Sequence, residues 1–150
     1  MTKVRAGLCA LMLAAAMAGC SQETAAPPQL ALQAILYPDF AQNRIAGNAC
    51  AFVAKGGGMG AVFMALETRA VLKLADRIVS IPVAGDGSAL PLGTHTHYAG
   101  PLYGVTLTRD PGQSHAITTD ATAFTGRLTI TDAKGQVVYQ ADGDAQCKPV

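Results

Sequence analysis

The sequence predicts an all-β fold: a small antiparallel β-sandwich or β-barrel closed by one disulfide, with a short helical or extended N-terminal segment. Strand-like segments recur at intervals of roughly 8 to 12 residues, and Gly, Asp and Pro cluster between them. No long helical pattern is present that would connect parallel strands. The chain has 150 residues, of which 50% are hydrophobic and 14% charged. This length and composition fit one folded domain and argue against a disordered chain.

The first elements of the predicted domain are short. Residues 30–36 fit either a brief helix or an extended segment, which Pro38 limits. Asp39 is the predicted N-cap of a turn of helix over residues 40–44, because its carboxylate can accept a free backbone N–H.

The rest of the chain alternates between strand-like and turn-like composition. The predicted strands are residues 49–54, 61–66, 70–74, 77–83, 94–98, 102–109, 124–131 and 136–141. The predicted turns and loops are residues 56–60, 75–76, 85–91, 100–101, 110–114 and 132–135. Apolar and polar residues alternate most clearly in 102–109 and 124–131, which predicts strands with one buried face.

Residues 1–20 have the layout of an export leader. Lys3 and Arg5 form a basic start, and the apolar run over residues 6–18 is shorter than the roughly 20 residues that span a bilayer. The run ends in Met17-Ala18-Gly19-Cys20, which resembles the lipobox of bacterial lipoproteins. That resemblance implies that residues 1–19 are removed and that Cys20 is lipidated. The alternative is an ordinary secretory leader with an incidental cysteine.

Three regions follow from this leader. Residues 1–19 are the lipoprotein signal peptide, residues 20–29 are a lipidated tether that contains Pro27 and Pro28, and residues 30–150 are a single β-rich domain. Ser21 follows the cysteine, and by the same resemblance a residue other than Asp there suits sorting to the outer membrane, with the domain facing the periplasm. Loss of Lys3 and Arg5 leaves nine basic and ten acidic residues, so we expect no nucleic-acid partner.

Two of the four cysteines remain for the folded domain. Cys9 lies in the leader and Cys20 is the expected lipidation site, which leaves Cys50 and Cys147 as a pair in an oxidising compartment. We predict a disulfide between them, which in the chain-entropy model stabilises the fold by about 4 to 5 kcal/mol. A reactive or metal-bound pair is the alternative, but neither cysteine belongs to a Cys-x-x-Cys motif.

His95 and His97 are the candidate metal ligands. Residues two apart on a strand point to the same face, so the two imidazoles could share a metal ion. A third ligand, His115, Asp110 or Asp120, would come from a neighbouring loop. Solvent-facing histidines among threonines explain the same residues without a metal.

Other patterns give no catalytic signature. The glycine-rich residues 56–60 lack the Lys-Ser/Thr pair of a phosphate-binding loop and precede a predicted strand. Neither a nucleophile elbow nor a paired-carboxylate spacing is present. We therefore expect neither enzymatic activity nor a cofactor.

Two family resemblances concern the domain itself. Cys50, the Gly93-Thr94 pair that leads to Tyr98, and Cys147 are somewhat similar to the membrane-bound inhibitors of c-type lysozyme. That family implies a lipidated small β-barrel with a loop that plugs the lysozyme cleft. The combination of Cys50-Ala51-Phe52, the glycine-rich residues 57–62 and Leu107-Thr108-Arg109 looks more like a group of small bacterial envelope lipoproteins of uncharacterised function.

The sequence thus favours an outer-membrane-anchored periplasmic lipoprotein that acts as a non-catalytic binding or structural module. Its expected partners are the membrane, through the N-terminal lipid, and an envelope protein or glycan. A lysozyme-inhibitor-like protein is one alternative. A metal-binding periplasmic protein that uses His95 and His97 is the other.

Overall fold

The computed structural model describes residues 28–150, which form an all-β fold with one short helix. The predicted signal peptide, the lipidation site Cys20 and most of the predicted tether lie outside the described residues. An extended segment over residues 28–36 leads into helix α1, Tyr37–Asn43. The strands are β1 Asn48–Ala54, β2 Phe63–Leu66, β3 Arg69–Leu74, β4 Arg77–Pro82, β5 His97–Ala99, β6 Tyr103–Thr118, β7 Ala121–Asp132 and β8 Val137–Pro149.

The eight strands form one antiparallel sheet that is nearly closed into a barrel. Its order is β4-β3-β2-β1-β8-β7-β6-β5, so every strand pairs with its neighbours in sequence except β4 and β5, and the first strand pairs with the last. A single antiparallel bridge between Val83 and Tyr98 joins the two outer strands, β4 and β5. The predicted all-β antiparallel class is confirmed, and of the two architectures the structure has the barrel.

The barrel has two distinct ends, because consecutive strands alternate in direction. We call the end where the described chain enters the proximal end; there the Leu30 N–H donates to the Val138 carbonyl, 2.8 Å away. The proximal end carries the connections over residues 55–62, 75–76, 100–102 and 133–136. The distal end carries the connections over residues 67–68, 83–96 and 119–120, and it also holds the start of β1 and the end of β8.

Side chains fill the interior of the barrel. The fully buried aromatic rings are those of Phe52, Phe63, Tyr98 and Phe124. The rings of Phe63 and Tyr98 meet edge to face, with their centroids 6.2 Å apart. An eight-stranded barrel has an interior just wide enough to be filled by its own side chains, as it is here.

A second, smaller core covers the outer face of strands β1 to β4. Ile35 and Ile45, which flank α1, pack there against Met64, Leu66 and Val71. Strand β2 is therefore buried on both faces, which explains why all four of its residues are buried and apolar.

Helix α1 begins earlier than predicted, and Asp39 is not its N-cap. Leu36 occupies the N-cap position and Asp39 lies in the first turn. The Asp39 carboxylate accepts hydrogen bonds from the Leu36 N–H at 2.7 Å and from Lys73 Nζ at 2.9 Å. It therefore satisfies a free donor at the helix start and also ties the helix to β3.

The predicted turn over residues 110–114 is wrong. Strand β6 continues through it, with a register shift against β7 between Arg109 and Ser114, and the chain reverses only at residues 119–120. Pro111 and Gly112 have turn-like composition, but a β-bulge accommodates them within the strand.

Gly126 and Gly143 face each other on β7 and β8. A Cβ at Gly126 would overlap the Thr108 carbonyl oxygen, and one at Gly143 would overlap the Val53 carbonyl oxygen. Only glycine fits at either position, because the backbone of a neighbouring strand approaches each residue closely.

Candidate functional site

The Cys50–Cys147 disulfide is formed, with an S–S distance of 2.01 Å. Both cysteines are fully buried and face each other directly on β1 and β8, with their Cα atoms 3.9 Å apart. The bond links the first and last strands, as the sequence predicted. These strands are neighbours within the sheet, however, and the barrel closes elsewhere, between β4 and β5.

A short 3₁₀ turn, Pro91–Gly93, lies over the disulfide at the distal end. The buried Thr94 hydroxyl donates to the Pro91 carbonyl at 2.8 Å and lies 3.1 Å from Cys50 Sγ. This packing holds Leu92 in the left-handed region, with φ +61°, and leaves its side chain exposed. A bulky residue rarely adopts this conformation, so the surroundings of the turn impose it.

His97 pairs with an aspartate that the sequence did not single out. Its Nδ1 lies 2.6 Å from Asp86 Oδ1, in the connection between β4 and β5. The hydrogen bond from His97 lowers the pKa of the Asp86 carboxyl. This pair sits at the surface of the distal end.

His95 contacts a buried tyrosine. Its backbone N–H donates to the Tyr98 hydroxyl at 3.0 Å, and the two rings meet edge to face. The Tyr98 hydroxyl in turn donates to the Leu66 carbonyl at 2.6 Å. Burial raises the pKa of Tyr98 to about 12, so the phenol stays protonated and keeps this link between β5 and β2.

The structure separates the residues proposed to share a metal ion. His115, Asp110 and Asp120 lie on the β6–β7 hairpin, whereas the His97 ring hydrogen-bonds Asp86. Among residues 28–150, no three His, Cys, Asp or Glu side chains come together in a group that could hold a metal. Metal binding by His95 and His97 stays a prediction, to be checked by the metal content of the purified protein.

One edge of strand β6 is exposed where the strand runs toward the distal end of the barrel. Strand β5 pairs with β6 only as far as Thr106, and the Leu107 N–H donates to the Thr96 carbonyl. From Thr108 to Thr118 every residue of β6 is exposed, and no strand of residues 28–150 pairs with that edge. A surface cavity of about 290 Å³ lies beside its start, lined by Ser88, Ala89, Leu90, Thr96, Thr106, Thr108 and Arg109.

The other surface cavities are lined by side chains that are engaged with one another. A cavity of about 400 Å³ contains Lys55, Asp110, Asp142 and Asp144, and the Arg127 guanidinium lies 2.7 Å from Asp142. A third, of about 250 Å³, contains Glu67, whose carboxylate accepts from the Asn48 amide at 2.8 Å. Neither arrangement pairs a nucleophile with a base.

Comparison of the chain with protein-family models, with curated proteins and with solved structures finds no match. Within residues 28–150, no helix has the length and apolar character needed to cross a membrane. Function is therefore argued from the surfaces described above. Of these, sequence reasoning missed the edge of β6, Asp86 and Leu92; the Pro and Gly that flank Leu92 were the available signal for its turn.

Proposed function

We propose that the protein is a non-catalytic binding module, attached to the periplasmic face of the outer membrane by a lipid on Cys20. Its distal end holds an extended segment of an envelope protein. The observation that carries this proposal is the free edge of β6, which presents unpaired backbone groups over residues 108–118. Extended peptides bind such edges by adding a strand to the sheet.

Residues 114–118 are the part of this edge to which an added strand can pair. Asp110, Pro111 and the register shift interrupt residues 109–113, as protective features of natural edge strands do. Residues 114–118 contain neither proline nor a carboxylate, and β7 holds most of them in antiparallel register. Ile117 is 48% exposed there and offers an apolar contact for an added strand.

The absence of a catalytic role is also part of the proposal. The barrel interior is filled by side chains, which leaves no room for a substrate inside. Among residues 28–150, the His97 ring hydrogen-bonds Asp86 and no serine, threonine or cysteine, so it has no nucleophile to activate.

Site-specific photo-crosslinking in producing cells tests the edge directly. We expect a photo-reactive residue at Ile117 to give a discrete protein adduct, and the same residue at Val150 to give none. Val150 is an exposed apolar residue of the same end that lies beside β1 instead of on the edge. Adding Ala116→Pro should abolish the adduct, because proline removes a backbone donor. A glycan adduct, or no adduct from any residue of 114–118, would overturn the peptide assignment.

A lysozyme-inhibitor-like function is the second candidate. The structure favours it in one respect: the Leu92 turn and residues 110–115, both exposed, lie at the same end of the barrel. The full chain would then inhibit a muramidase, and Leu92→Gly would abolish inhibition while the left-handed turn is retained. Val150→Lys is the matched control and should inhibit fully. Unimpaired muramidase activity with saturating wild-type protein would eliminate this function.

A further inference from the structure

The proximal end of the barrel exposes large apolar side chains from three of its connections. Met59 between β1 and β2 is 97% exposed, Leu102 between β5 and β6 is 65% exposed, and Val137 at the start of β8 is 43% exposed. These three apolar side chains extend from the same end of the barrel and are available to contact an apolar surface.

The chain enters the domain at this same end. Pro28 is the first described residue, and the Leu30 N–H donates to the Val138 carbonyl next to Val137. Seven residues lie between Cys20 and Pro28, so even a fully extended link of eight steps reaches at most about 29 Å. A lipid on Cys20 would therefore keep the proximal end, and not the distal end, close to the bilayer.

The charged side chains of the proximal end are of both signs. Lys55, Arg77 and Lys134 are exposed there. Asp76 accepts a hydrogen bond from the Gln33 side chain, and Asp132 accepts from the N–H groups of Lys134 and Gln136, but these neutral donors leave both carboxylates negatively charged. Lys55 lines a cavity with Asp110, Asp142 and Asp144, and it helps to lower the pKa of Asp142. The apolar side chains, and not a net positive charge, therefore carry the contact with a membrane interface.

We infer that the proximal end docks on the bilayer surface, with Met59, Leu102 and Val137 at the level of the lipid headgroups. The inference rests on the proposed lipid anchor at Cys20 and adds an orientation to it. The barrel stands with its proximal end on the membrane, so the edge of β6 and the Leu92 turn face away from it.

Tryptophan fluorescence tests this orientation, because the chain contains no tryptophan. The full lipid-modified chain is reconstituted into vesicles of phosphatidylethanolamine and phosphatidylglycerol with brominated acyl chains. We expect Met59→Trp and Leu102→Trp to show blue-shifted emission that the brominated lipids quench. Ile117→Trp, at the distal end, is the matched control and should be neither shifted nor quenched.

Separate measurements distinguish lipid attachment at Cys20 from contact between the proximal end and the membrane. Flotation of the vesicles and the mass of the N-terminal peptide report whether Cys20 carries lipid and holds the chain on the membrane. An unmodified Cys20 would overturn the proposed anchor. A modified chain that floats while Met59→Trp and Leu102→Trp are both unquenched would overturn the docking alone. Equal quenching of Ile117→Trp would overturn the orientation.

Discussion

The two halves of the barrel differ in what covers their outer faces. Strands β1 to β3 are packed on both sides, because α1 and its flanking residues cover their outer face with Ile35 and Ile45. Strands β6 to β8 are packed only on the barrel side, and their outward residues, such as Arg127, meet solvent. In the first half, which we call the covered half, the sheet lies between the barrel core and the segment that contains α1. In the second half, which we call the bare half, the outer sheet face and the edge of β6 are exposed and available to a partner.

This difference is visible in the sequence as two kinds of strand. The covered strand β2 is a continuous apolar run, whereas β7 alternates between buried and outward residues. Sheets buried on both faces show continuous apolar runs, and those with one wet face show alternation.

Removing the disulfide breaks the covalent link between the two halves. Cys50→Ala/Cys147→Ala should lower the free energy of unfolding by about 4 kcal/mol, because the bond closes a loop with a sequence separation of 97 residues. Denaturant unfolding of both proteins, with and without reductant, measures this loss. Reductant should destabilise only the wild type, and equal stability of oxidised wild type and double variant would contradict the expectation.

Truncating one outward side chain in each half compares the covered face with the bare one. Met64, on β2, is 1% exposed on the outer face, so Met64→Ala should cost about 2 to 5 kcal/mol through lost packing. Thr129→Ala, at an outward position of β7, should change stability by about 0.5 kcal/mol at most. Thermal and denaturant unfolding of the two variants provide the test. Similar losses would mean that α1 does not pack as described.

Protonation of Asp39 at acidic pH should destabilise the covered half. Hydrogen bonds from the Leu36 N–H and from Lys73 hold the pKa of this carboxyl below its ordinary value of 3.8. Because the folded state lowers this pKa, the ionised Asp39 stabilises the fold at neutral pH. That stabilisation is lost as the pH falls from the unfolded pKa through the folded pKa. Asp39→Asn should therefore flatten the decline in stability between about pH 5 and about pH 2. Unfolding midpoints across that interval measure the slope, and an unchanged slope would contradict the assignment.

The Arg127–Asp142 ion pair of the bare half should contribute least to the free energy of unfolding. Its contribution should also depend most on the salt concentration. Arg127 contacts Asp142 through Nε at 2.7 Å and Nη2 at 3.1 Å, and the pKa of the Asp142 carboxyl is lowered as a result. Both side chains are exposed, so added salt should screen their attraction. Asp142→Asn should then have a small effect at low salt and a smaller one at high salt. The Asp39–Lys73 pair, with each side chain only 12% exposed, should respond less to salt.

Local sequence patterns were enough for much of the fold. The hairpin at Ala75 and Asp76 and the turn after Asp132 were both predicted, because both depend on local turn chemistry. The disulfide followed from counting cysteines. The helical cover could not be predicted, since a continuous apolar run shows that a strand is buried on both faces but not what buries it.

The site was harder to predict than the fold. Pro111 and Gly112 indicated a turn, and only the pairing of β6 with β7 shows that the chain continues through them as an exposed strand. Asp86 and His97 are eleven residues apart and meet only because the connection between β4 and β5 folds back on itself. Contacts of this kind depend on tertiary structure, which alternation and composition do not encode.

The pairing of the first strand with the last also sets the order in which the fold can be completed. As the chain emerges from its N-terminus, each hairpin from β2 to β7 can form from neighbouring residues, but β1 must wait for β8 on one side. Cys147 follows Cys50 by 97 residues, so Cys50 stays without its partner until all the strands between them have been synthesised. The covalent bond can therefore form only after β1 and β8 are both present, and it fixes the longest-range strand pairing of the sheet.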